Sequence, residues 1–114
     1  MSNTGGTLHI VNHFSEAVSV YVTGNSWNCC DAPQPNTPVG FVRPGGSVDL
    51  GYVKTGGHGC DGKQGQFELS FNISMLVDLN FDSNAAMSAP NPSGCNAAMS
   101  QDPDGTYRLI VYSS

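Results

Sequence analysis

Gln66-Phe67-Glu68-Leu69-Ser70-Phe71-Asn72 and, after a short joint, Met75-Leu76-Val77-Asp78-Leu79-Asn80-Phe81-Asp82 alternate apolar and polar side chains through two successive runs. Side chains of an extended strand point to opposite faces in turn, so this period of two predicts two strands, each with a buried row and an outward row. Phe67, Leu69 and Phe71 make the apolar row of the first run, and Val77, Leu79 and Phe81 that of the second. A hairpin turning at Asn72–Ser74 would set Glu68, Asp78 and Asp82 on one outward surface, with Gln66 beside them. That surface is the candidate binding site.

Outward from this pair, Thr7–Asn12 and Ala17–Thr23 read as strands, the second carrying Val18, Val20 and Val22 on one face. Their short separation predicts a hairpin. Val39–Arg43, Ser47–Val53 and Thr106–Tyr112 supply three more strands, with Val48, Leu50 and Tyr52 sharing a face opposite Asp49. Residues 1–6 are expected to be disordered. Gly24–Pro38, whose prolines remove backbone donors, and Lys54–Gly65 read as loops. Ser83–Pro103 has no clear periodicity, and a loop that long is ordinarily functional or held by a crosslink. Seven strands without a helix predict an all-β chain, a single antiparallel β-sandwich over residues 7–114 with long Gly/Pro/Ser-rich loops.

Composition narrows the function. Of 114 residues only 11% are charged, and the net charge of −5 includes just four Lys and Arg. So few cations cannot make the phosphate-binding footprint of a nucleic-acid protein. No apolar run reaches the length of a membrane span. An acidic surface can still hold a divalent cation or hydrogen-bond sugar hydroxyls, and oligomeric state is left open.

Asp78, Asn80 and Asp82, with Asn84, place oxygen ligands at every second residue, as the first half of a calcium loop does. Ser83 and Ala89 stand where such a loop needs Gly and Glu, so an EF-hand is excluded and a calcium site on a sandwich edge is the remaining metal reading. Otherwise no cofactor is expected. Glu68 with Asp78 or Asp82 has the residue types of a glycosidase pair, but ordinary solvated strand carboxylates read the same way, so binding without catalysis is the expectation. Tyr52 or Tyr107 could stack on a sugar face, and Trp27 reads first as a plug over the core and second as a ligand platform. His9, His13 and His58 fall in separate elements and make no metal motif.

Cys29, Cys30, Cys60 and Cys95 in a small chain with few charges point to an oxidising compartment and disulfides. Adjacent Cys29 and Cys30 are expected to pair with Cys60 and Cys95, in either order. The polar N-terminus has no signal-peptide core, so the chain reads either as cytosolic or as a mature secreted chain, and the four Cys favour the second. The triplet Asn72-Ile73-Ser74 matches an N-glycosylation acceptor.

Leu8-His9-Ile10-Val11-Asn12, Val18–Val22, Val42-Arg43-Pro44-Gly45-Gly46-Ser47, Leu76–Asp82 and Pro92-Ser93-Gly94-Cys95 together resemble the thaumatin-like superfamily, in particular its short fungal branch of the Blastomyces yeast-phase-specific type. The resemblance implies a secreted, disulfide-bonded antifungal or effector protein whose acidic cleft binds β-glucan, with Gln66, Asp78 and Asp82 at the matching positions. His13-Phe14 stand where that family has a Cys, and Gln66 where it has an acid, which leaves binding rather than hydrolysis. Val42–Gly46 followed by Gly65-Gln66-Phe67-Glu68-Leu69 is also similar to the aegerolysin family, which implies a membrane-lipid-binding module with the Trp27 loop at the surface. A cell-surface structural protein without a small ligand is the third reading.

Overall fold

The computed structural model describes residues 5–57, 59–60 and 62–113. They form ten strands: β1 Gly5–Asn12, β2 Val18–Val22, β3 Cys30–Ala32, β4 Thr37–Val42, β5 Ser47–Lys54, β6 Gly65–Phe71, β7 Met75–Phe81, β8 Asn91–Ser93, β9 Asn96–Gln101 and β10 Tyr107–Tyr112. The first sheet has the order β3-β5-β1-β10-β9 and the second β4-β2-β6-β7-β8. Every neighbouring pair is antiparallel except β1 with β10. The predicted all-β sandwich is the fold, with ten strands in place of seven.

The two organising runs pair as expected. In the β6–β7 ladder Phe67 lies opposite Leu79, Leu69 opposite Val77 and Glu68 opposite Asp78. All six apolar side chains of the two rows are fully buried. Val18, Val20 and Val22 of β2 extend that floor, and Leu8, Ile10, Leu109 and Val111 face it from the first sheet. Gly65, opposite Phe81, has no room for a side chain, because a Cβ there would sit 2.4 Å from the Phe81 ring.

Three expectations need correction. β1 and β2 are not a hairpin: β1 belongs to the first sheet and β2 to the second. Asn12 explains the crossing. Its buried side chain donates to Glu16 O at 3.0 Å and Val42 O at 2.9 Å, and accepts from Phe14 N at 2.8 Å. Its backbone also pairs with Gly45 and Gly46. One residue thus fixes the corner where both the β1–β2 and the β4–β5 connections change sheets.

Gly24–Pro38 and Ser83–Pro103 are not continuous loops, since they contain β3, the start of β4, β8 and all of β9. Pro38 and Pro92 fit because β4 and β8 are the edges of the second sheet, where a missing N–H removes no ladder bond. Gly5 and Gly6, expected to be disordered, begin β1 opposite Val53 and Tyr52. The same expectation for residues 1–4, and His58, lie outside the described residues.

Candidate functional site

Because β6 and β7 bury their apolar rows, the alternate residues turn outward on the second sheet. Register fixes their neighbours: Asp78 stands between Glu68 on β6 and Asn91 on β8, while Leu76 stands between Ser70 and Ser93. Ser70 in turn lies opposite Tyr21 of β2. The outer face therefore carries a polar row beside a mixed apolar one.

These rows border a groove of about 550 Å³ lined by Ser19, Tyr21, Thr23, Glu68, Ile73 and Leu76, among others. Glu68 is only 6% exposed. Thr23 Oγ1 donates to its Oε1 at 2.7 Å. At the hairpin tip Ile73 is 88% exposed and has φ +74°, a conformation that costs a β-branched residue about 1–3 kcal/mol.

Glu68 and Asp78 meet carboxyl to carboxyl. Neither has an ion-pair partner among the described residues. Asp78 Oδ1 is buried and is the one such side-chain atom there without a hydrogen-bond donor. Burial first, then hydrogen bonding with Glu68 and repulsion by its charge, push the Asp78 carboxyl from 3.8 up to about 6.

That shift has a stability consequence. The fold favours protonated Asp78, so the contribution is complete below about pH 4 and is lost as pH rises through about 6. Asp78→Asn keeps a neutral partner for Glu68 and is expected to raise stability near neutral pH by about 1 kcal/mol, after allowing for solvent screening. Urea midpoints across this window check it: wild type should weaken towards neutral pH and the variant should not.

The other predicted residues divide. Gln66 and Asn80 pair on the outer face with Glu68 and Asp78. Asp82 does not join them. It lies past the end of β7, where Oδ1 accepts the Asn84 and Ala86 amides at 2.8 and 3.0 Å. Asp78 and Asp82 are separated by about 13 Å of extended chain, too far to share one ion with Asn80. Among the described residues no group of three His, Cys, Asp or Glu side chains could hold a metal.

Tyr52 is also elsewhere. It is 1% exposed on the inner face of β5, packs edge-on against Phe81 at 4.7 Å, and donates to Ala85 O at 2.8 Å. With Tyr107 it lines a separate, more polar cavity of about 490 Å³. Trp27 is half-buried against the core and donates from Nε1 to Pro33 O at 2.9 Å, the plug arrangement. Asn72 accepts from Ser19 N at 2.8 Å and donates to Ala17 O at 3.3 Å, so its amide serves the hairpin. Tyr21, Thr23, Ile73 and Leu76 were not among the predicted site residues. The outward parity of β2 was the available signal for the first two.

Cys29 and Cys60 form a disulfide, whereas Cys30 and Cys95 are buried thiols. Cys30 Sγ contacts Gln66 O and Cys95 Sγ contacts Leu76 O, near opposite ends of the β6–β7 ladder. Those contacts are about 13 Å apart along the strands, beyond a disulfide's reach. Burial raises both thiols above their ordinary range, Cys30 to about 11, which keeps them unreactive.

Fold and site together define a β-sandwich with an amphipathic groove on one outer sheet face. No family model matches the chain, and no curated protein matches it. It is similar in structure to IP-1A from Alcaligenes faecalis, with a TM-score of 0.55 and 10% identity, over 97% of this chain and 91% of that one. That likeness concerns the fold. No helix among the described residues is long and apolar enough to cross a membrane.

Proposed function

We propose that this chain is an exported, non-catalytic carbohydrate-binding protein that takes a β-glucan-type polysaccharide in the groove of its second sheet. The groove's lining carries the reading. Tyr21 and Leu76 offer an apolar surface to the C–H face of a sugar, while Glu68, Thr23 and Ser70 accept hydroxyl hydrogen bonds. Uncompensated carboxyls favour a neutral ligand rich in donors over an anionic one. The Cys29–Cys60 disulfide agrees with an oxidising compartment, and the thaumatin-like resemblance with cell-wall recognition.

A second reading rests on one observation. Phe41 and Ile73, on the same side of the sheet as the groove, are 70% and 88% exposed, which suits insertion at a membrane surface. The tucked position of Trp27 removes that residue from this reading.

A co-sedimentation assay tests both. Retention on insoluble β-glucan that falls about tenfold or more in Tyr21→Ala/Leu76→Ala is expected, as for loss of a stacking surface. Retention on zwitterionic lipid vesicles that depends on Phe41 and Ile73, with none on glucan, would replace the first reading by the second.

A further inference from the structure

We propose that the Glu68–Asp78 pair is a one-proton switch that sets the groove's affinity for its ligand: the shared proton turns the two carboxyls onto each other in mild acid, and its loss frees charged oxygen for ligand hydroxyls. This inference rests on the groove reading above and adds regulation to it.

The geometry carries it. The two acids are direct cross-strand partners, a position where like charges repel across a gap of about 5 Å. Glu68 lines the groove and Asp78 lies just behind it, so the state of the pair reaches the ligand through one side chain. The buried Asp78 Oδ1 has no hydrogen-bond partner, so its charged form is poorly served where it stands.

Among the described residues no neighbouring strand supplies a competing charge on this face. From β2 the outward groups are Ser19, Tyr21 and Thr23; from β8, Asn91 and Ser93; and from β4, Phe41. Tyr21 is the other titratable group on these strands. Asp82 at the end of β7 is committed to turn amides. Protonation of the pair is therefore set by its two members.

When the proton leaves, Thr23 still holds Glu68 Oε1, so the freed charge stays at the groove wall. Hydrogen bonds to a carboxylate are roughly twice as strong as those to a neutral acid, and one such bond corresponds to about tenfold in affinity. By linkage, a ligand bound to the ionised pair must itself draw the proton off.

Two measurements on the intact chain test the switch. Carboxyl ¹³C NMR of ligand-free protein should show Asp78 titrating near pH 6. Affinity for a defined soluble β-glucan oligosaccharide should fall about tenfold from pH 7.5 to pH 5 in wild type and stay flat in Asp78→Asn, which has no proton to exchange at that position. An Asp78 that titrates in the ordinary carboxylate range overturns the switch, as does equal wild-type affinity at both pH values; in either case the groove reading stands. Absence of glucan binding at both pH values overturns the groove reading and the switch together.

Discussion

Phe67→Ala is expected to lower the free energy of unfolding by about 3–5 kcal/mol, a large share of the roughly 5–15 kcal/mol that holds a domain of this size. The ring is fully buried in the middle of β6, between the two sheets, and packs edge-on to Phe81 at 6.2 Å. Neighbours cannot close the space: Gly65 contributes no side chain, and Phe81 is already held by Tyr52 at 4.7 Å. Loss of transfer free energy and a residual cavity therefore add. Urea unfolding would read the change as a lower midpoint with an unchanged slope. A loss below about 1 kcal/mol would mean that the two sheets do not meet at this ring.

Removing the disulfide is the second large effect. Cys29 and Cys60 are 31 residues apart in sequence, and releasing a loop of that size from the unfolded chain is expected to cost about 3–4 kcal/mol. The bond ties the segment before β3 to the segment after β5, where Thr55 N donates to Cys29 O at 2.9 Å and Lys54 Nζ to Cys60 O at 2.7 Å. Thermal unfolding of Cys29→Ser/Cys60→Ser against wild type gives the magnitude. Alkylation in denaturant followed by mass measurement gives the pairing: two thiols without reductant and four with it. Four without reductant would remove the crosslink from the account.

The residues that define the core were legible because strand parity is local: Phe67, Leu69, Phe71, Val77, Leu79 and Phe81 needed no knowledge of the rest of the chain. Which sheet a strand joins is not local. The β1–β2 connection has the length of a hairpin, but Asn12 sends it across the sandwich through contacts with Val42, Gly45 and Gly46, thirty or more residues away. The strands β3 and β8 have three residues each, too few to show a period.

The candidate site was half legible. Parity on β6 and β7 was enough to bring Glu68 and Asp78 together, and their register confirms that they face each other. Asp82 escaped because the strand ends one residue before it and a turn claims its carboxylate. Tyr52 was assigned against its own parity, since the alternation that turns Val48 and Leu50 inward turns Tyr52 inward too. The groove's β2 wall depends on strand order, so Tyr21 entered only with the second sheet assembled. The free state of Cys30 and Cys95 depends on their positions along the β6–β7 ladder, which spacing in the chain does not encode.

The most direct test of the central claim is amide and methyl NMR of the ¹⁵N,¹³C-labelled chain titrated with a soluble β-glucan oligosaccharide. Saturable shifts confined to Tyr21, Thr23, Glu68, Ser70, Ile73 and Leu76 are the predicted result. Shifts centred on Tyr52, Tyr107 and the cavity at the other sheet, or none at any concentration, would contradict it.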